Sequence, residues 1–177
     1  MDVGSGRERS LRREILSLAL IVLAAAPAAA AEPRFPALTG RVVDEAGILK
    51  PEDRRSLEAD LAALETKSSD QLVVVTLKSL QGYEIEDFGY RLGRHWGIGQ
   101  AGGKNNGILL IVAPNERRVR IEVGRGLEPI MTDALSRLII ENRILPAFRR
   151  GDFSLGVVTG ARDIRDALLG DAAEVRK

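Results

Sequence analysis

No cysteine occurs anywhere in this chain, and histidine occurs once. Those absences remove disulfide frameworks, cysteine nucleophiles, thiolate zinc sites and multi-histidine metal centres. A Ser–His–Asp triad would have to use His95, the sole imidazole. Aromatic residues make up 4% of the sequence, too few for the stacking platforms that hold single-stranded nucleic acid. Charge of one sign is lacking too. The 26 Lys and Arg face 25 Asp and Glu, a formal net charge of +1, which excludes the basic face of a duplex-DNA binder.

What is present starts at the N-terminus. Arg7, Arg9, Arg12 and Arg13 precede an apolar run from Ile15 to Ala26, followed by Pro27 and the small residues Ala28 to Ala31. A basic start, an apolar core and small residues before a cut describe a secretory signal peptide over residues 1–31, cleaved after Ala31. The alternative is an uncleaved anchor in the inner membrane, but the apolar run falls short of the ~20 residues a spanning helix needs. That segment carries four basic and three acidic residues, which leaves 22 of each in the remaining 146 residues. The expected working protein is therefore a neutral exported domain, periplasmic or extracellular, held by its core alone. A chain of ~150 residues can bury about 70% of its surface.

Residues 32–40 hold two prolines and read as an extended lead-in. Val42 and Val43 suggest a short edge strand before Asp44. Pro51, Glu52 and Asp53 suit a helix start, and Leu57, Leu61 and Leu64 give it one apolar face as far as Lys67. The β-branched run from Gln71 to Leu77 predicts a buried strand. Ile85, Phe88, Leu92 and Trp96 predict a second helix, followed by a glycine-rich loop from Gly97 to Gly107. Ile108–Val112 predicts another buried strand, which turns at Pro114–Glu116 into Arg117–Val123. There Val119, Ile121 and Val123 alternate with Arg118, Arg120 and Glu122, the mark of a hairpin strand with one wetter face. Thr132 should cap a long helix with Leu135, Leu138 and Ile139 inward and Pro146 near its end. Asp152 should cap the last helix, burying Leu155, Val158, Ile164 and Leu168. This order implies an α/β fold, an α/β/α sandwich whose small mixed sheet carries helices on both faces. A domain over residues 41–169 is expected, with residues 32–40 and 170–177 as loose ends.

Chemistry has few places to sit. Gly97-Ile98-Gly99-Gln100-Ala101-Gly102 matches GxGxxG, but that fingerprint needs a strand before it and a helix after, and here the order is reversed. Lys104 is followed by Asn105 rather than Ser or Thr, so a P-loop fails as well. Neither nucleotide nor any organic cofactor is expected, and the glycines serve as a flexible connection. His95 reads as a helix-end residue suited to the C-terminal dipole rather than as an acid or base. Oxygen-bearing residues gather at predicted strand ends: Asp44, Asn105, Asn106, Glu128 and Asp133. Carboxylates and amide carbonyls without His or Cys suit Ca²⁺ or Mg²⁺. Each also has a structural reading: Asp44 and Asn105 as turn formers, Asn106-Gly107 as a tight turn, and Asp133 as a first-turn acid.

Several segments, in order, resemble the TPM domain family of exported bacterial and thylakoid-lumen proteins. They are Leu38–Asp44 with Gly47-Ile48-Leu49, the strand Gln71–Thr76, Trp96–Gly99, Asn106–Leu110, Arg120–Glu128, Thr132–Ala134 and Pro146–Asp152. The resemblance spans roughly residues 36–165. It implies an α/β/α sandwich with an acidic crevice at strand ends, where some members bind Ca²⁺ or related cations. The matching positions are Asp44, Asn105, Asn106, Glu128 and Asp133, with Glu122 as a further one. Asn105 departs from the family's usual Asp, which removes one anionic ligand and should weaken divalent binding. Many relatives carry a C-terminal membrane helix and a glycine-rich tail, and this sequence shows neither. Plant members are linked to photosystem II repair and to acid phosphatase activity. The resemblance therefore implies a cation-binding module that assists membrane-associated protein complexes of the envelope. Its rival is a metal-assisted phosphatase using Asp44 or Asp133 with Arg120 or Arg125, and a purely structural interaction module is a third reading.

Overall fold

A computed structural model describes residues 32–170 of the chain. The expected signal peptide and nearly all of the expected C-terminal tail lie outside the described residues. The described residues from Pro33 onward form one compact unit. None of the described helices is long and apolar enough to cross a membrane.

Four strands make one mixed sheet in the order β1-β2-β3-β4: β1 (Val42–Asp44), β2 (Gln71–Thr76), β3 (Gly107–Ala113) and β4 (Arg118–Val123). The first three are parallel and β4 returns antiparallel to β3 through the Pro114–Arg117 turn. Because β2 and β3 are central, both their faces must be covered, and their unbroken apolar runs supply the side chains for that. Alternate residues feed two cores. Leu72, Val74, Ile108, Leu110, Val112 and Ile121 face α1 (Pro51–Ser68) and α5 (Phe153–Leu168). Val73, Val75, Leu109 and Ile111 face α2 (Ile85–Trp96), where Phe88 and Leu92 are fully buried. The α/β/α layering implied by the sequence is the observed one. Its two parallel crossovers step the same way across the sheet yet place α1 and α2 on opposite faces. One of the two must then run against the right-handed rule.

Helix α1 shows how distant segments lock the fold. Its N-cap residue, Lys50, has no side-chain cap, and the Lys50 N–H instead donates to Ser154 Oγ at 3.0 Å. The Ser154 hydroxyl in turn donates to Asp53 Oδ2 at 2.6 Å, so the first turn of α5 completes the first turn of α1. Further along, Arg162 Nε reaches Asp60 Oδ2 at 2.9 Å. At the other end of α1, Glu65 Oε2 accepts from Arg41 Nε at 2.8 Å, while its Oε1 accepts from Gln71 Nε2 at 3.0 Å. The Gln71 amide is the main influence holding the Glu65 carboxyl below its ordinary range. Partial burial opposes it, and Arg41 adds to the lowering.

Three expectations need correcting. The long helix from Thr132 is three pieces: α3 (Asp133–Ile139), a π-helical turn (Ile140–Ile144) and α4 (Leu145–Arg149). Pro146 has no N–H for the ordinary ladder, and the extra residue per turn shifts the phase of the buried face. Ahead of that turn Leu135 and Leu138 are only half-buried, Leu135 still packing on the core, while Ser136, Ile139 and Ile144 are buried. Leu155, expected in the core, is 45% exposed in the first turn of α5. The lead-in is not loose. Phe35 packs edge-on against Phe88 with ring centroids 5.3 Å apart, and Pro36 O accepts from Trp96 Nε1 at 3.0 Å.

Candidate functional site

The five oxygen-bearing residues singled out above occupy opposite ends of the sheet. Asp44 ends β1 level with Thr76 and Val112, whereas Asn105 and Asn106 precede Gly107, the first residue of β3. At ~3.3 Å per residue the two levels lie about 20 Å apart. The Asp44 carboxylate is also fully employed. It accepts from Ile48 N at 3.2 Å, from Leu49 N at 3.1 Å and from the Thr76 hydroxyl at 2.5 Å. It shapes the turn into α1, as its structural reading had it.

Asn106 is likewise a brace. Only 9% exposed, it donates through Nδ2 to Ser69 O at 2.8 Å and to Asp70 Oδ1 at 3.0 Å. Together with the Gly99 N–H, which donates to Gln71 Oε1 at 2.7 Å, it pins the glycine-rich loop to the start of β2. That loop is tightly packed rather than a nucleotide cradle. A Cβ on Gly99 would sit 2.0 Å from Gly107 N, and Gly99 itself has φ +68°. His95 is exposed and stacks on Phe35 at 5.0 Å between ring centroids, consistent with the unreactive reading of it.

Asn105 and Asp133 each share a hollow with Glu128, one on either side of it along the outer strand β4. Asn105 and Glu128 line a crevice of ≈ 380 Å³ together with Glu122, Arg94 and Arg125. Glu128, Glu122 and Asp133 line a second, larger groove of ≈ 860 Å³ that follows β4 from Val119 to Val123 and has α3 on its far side. Glu122 and Glu128 are common to both. Asp133 stands in the first turn of α3, whose Thr132 caps it by accepting from Leu135 N at 3.2 Å. Asn105 is held at φ +51°, with its Nδ2 donating to Gly103 O at 3.1 Å.

Electrostatically the two hollows differ. The smaller balances Glu122 and Glu128 against Arg94 and Arg125. The larger holds Glu86, Glu122, Glu128, Asp133 and Glu141 against Arg120 and Arg137, an acidic excess. Arg120 is already engaged, with Nε 2.6 Å from Glu122 Oε2 and Nη1 3.8 Å from Glu86 Oε1. Among the described residues no three His, Cys, Asp or Glu side chains converge closely enough to hold a metal ion. The acids line a groove rather than a point. One further group was not anticipated from sequence: Ser136, which lines the same groove and is 9% exposed, has an Oγ with no hydrogen-bond partner among the described residues. Its position, three residues into α3, carries no local signal of that isolation.

Comparison with known proteins agrees with this architecture. The family profile of the TPM domain matches residues 42–167. The N-terminal domain of a protein from P. gingivalis, solved in solution by NMR, is 38% identical. It aligns over 75% of this chain and 84% of that one, with a TM-score of 0.68. The N-terminal domain of the cg2496 protein of Corynebacterium glutamicum shares the fold at 21% identity, covering 83% of this chain and 87% of that one with a TM-score of 0.55. The BA42 protein of the psychrophile Bizionia argentinensis does so at 20% identity, covering 69% and 82% with a TM-score of 0.59. No curated protein sequence matches the chain significantly. With the family profile matched from Val42 to Ala167 and a 38% identical structure sharing the fold, the chain belongs to the TPM domain family.

Proposed function

We propose that this TPM domain is an exported binding module that takes a divalent cation weakly at the acidic end of β4 and assists membrane-associated protein complexes of the envelope. The observation that supports this reading most is the placement of Glu122 and Glu128 at the meeting of two hollows, with Asn105 on one side and Asp133 on the other. Oxygen donors spread over flexible, solvated positions suit Ca²⁺, which accepts six to eight ligands in loose geometry, better than Mg²⁺, which demands a tight octahedron. The Asn105 amide and the engagement of Glu122 by Arg120 both lower the charge on offer, so the affinity belongs in the weak range of about 10⁻⁴–10⁻³ M.

Titration of Ca²⁺ and Mg²⁺ into the isotope-labelled protein, followed by amide NMR, tests the cation part. Shifts concentrated at Asn105, Glu122, Glu128 and Asp133, larger for Ca²⁺, are expected. No shift there at about 10 mM ion would end the cation reading. The phosphatase alternative draws less support, since Asp44 is occupied by three hydrogen bonds at the opposite sheet end and Arg120 is tied to Glu122.

A further inference from the structure

The two edges of the sheet are finished differently. On β1 the first outward N–H is covered: Glu58, from α1, accepts from Val42 N at 2.8 Å and from Arg41 N, just ahead of the strand, at 2.9 Å. Edge strands left uncovered are templates for another strand, and proteins usually blunt them. On β4 no such cover exists among the described residues. The Gly124 N–H donates to Gly107 O at 2.8 Å, which fixes the alternation of the β3–β4 ladder. Glu122, Arg120 and Arg118 then exchange bonds with β3, and Val119, Ile121 and Val123 aim their N–H and C=O groups outward. All three residues line the ≈ 860 Å³ groove, Val119 and Val123 half-buried and Ile121 6% exposed.

We propose that this open edge is a docking site for an extended, basic segment of a partner protein, which adds to β4 as a fifth strand. Strand addition draws its affinity from main-chain hydrogen bonds and its specificity from alternate side chains. Here the alternation is already written on the two rims. The side chains of Val119, Ile121 and Val123 lie on the α1–α5 side of the sheet, beside Met131, Ile140 and Leu145. An added strand must offer apolar residues on that side. Its other residues meet Glu86 and Glu122, and the groove as a whole holds five acids against two arginines, one of them already paired. Lys or Arg belongs at those positions. Ser136 Oγ, buried in the groove wall, has no hydrogen-bond partner among the described residues. A second copy of this chain is a poorer occupant, because edge-to-edge pairing would bring the two acidic rims together.

The proposal does not depend on cation binding, so its test is run in EDTA, where a failure of the cation reading leaves it untouched. A blocked heptapeptide of alternating Lys and Val is titrated into the isotope-labelled protein. Shifted amides at Val119, Ile121 and Val123 with slowed hydrogen exchange are expected, weakening as salt rises. Two control peptides are expected to fail: the same sequence N-methylated at alternate amides, and alternating Glu and Val. The Glu128→Gln, Asp133→Asn double variant should bind the Lys-Val peptide about tenfold more weakly. Val119→Pro removes one outward donor at a position where an edge strand tolerates proline, and should abolish the shifts. If that variant does not fold, the N-methylated comparison on the unaltered protein decides. Equal binding of the N-methylated peptide, shifts centred elsewhere, or protection of the β4 amides in a peptide-free dimer would each overturn the proposal.

Discussion

Glu58 covers the start of one sheet edge, its two carboxylate oxygens accepting from the N–H groups of Arg41 and Val42 at 2.9 and 2.8 Å. Gly40 makes room for this, since a Cβ there would approach both Glu58 oxygens at 3.1 Å. Replacing Glu58 with Ala strands both donors. We expect a stability loss of about 1–2 kcal/mol in urea unfolding. Glu58→Gln, which keeps one acceptor, should lose less, and equal losses would mean that the carboxylate is not the edge's cover.

Asp44→Ala removes the acceptor of three hydrogen bonds that shape the turn between β1 and α1. Thermal unfolding should show it destabilised by about 2 kcal/mol. Because Asp44 lies at the far end of the sheet from Glu128, the same variant should titrate with Ca²⁺ as the parent does. A change in that titration would place Asp44 in the cation site after all.

Two glycines of one loop should respond very differently to Ala. Gly97 has φ +65° and open space around its would-be Cβ, so Gly97→Ala meets only the left-handed penalty of about 1 kcal/mol. Gly99 has a similar φ, but its Cβ would collide with the backbone of Asn106 and Gly107. Gly99→Ala should cost about 3 kcal/mol or more. Chemical denaturation of the two variants side by side measures the contrast, and similar losses would contradict the packing described for the loop.

Glu65 carries the clearest pH dependence. Its carboxyl is held below the ordinary value of 4.5, first by Gln71 and then by Arg41. A lowered pKa in the folded state means that the stabilisation is complete above pH 4.5 and is lost as pH falls through the folded value. Glu65→Gln should therefore be less stable than the parent by about 1 kcal/mol at pH 7. The gap should narrow as pH falls through the folded value and the parent's carboxylate takes up its proton, and a gap independent of pH would refute the assignment.

Much of the layer order was legible because β2 and β3 advertise themselves as continuous β-branched runs, and because the leucines of α1 repeat at helical spacing. The interruption at Ile140 was not. The apolar pattern runs on through it, and only the collision of Pro146 with the ladder, a three-dimensional matter, reveals a π-helical turn. Candidate ligands were legible as residue types at strand ends, but which end depends on strand direction. Parallel pairing of β1, β2 and β3 puts Asp44 and Asn106 at opposite rims, and pairing is non-local. The same holds for the groove. Val119, Ile121 and Val123 announce an alternating strand, yet nothing within that strand says that it ends the sheet.

The bridge from Lys50 through Ser154 to Asp53 spans about a hundred residues of sequence and joins the first helix of the domain to the last. A chain emerging from a ribosome or a translocation pore presents α1 long before Ser154 exists to complete it. Until then Leu57, Leu61 and Leu64, all fully buried in the finished domain, have no α5 to cover them. Completion of the first core is therefore expected to wait for the last helix. A chain cut before Phe153 should leave that leucine face bare and be digested by proteases faster than the whole domain.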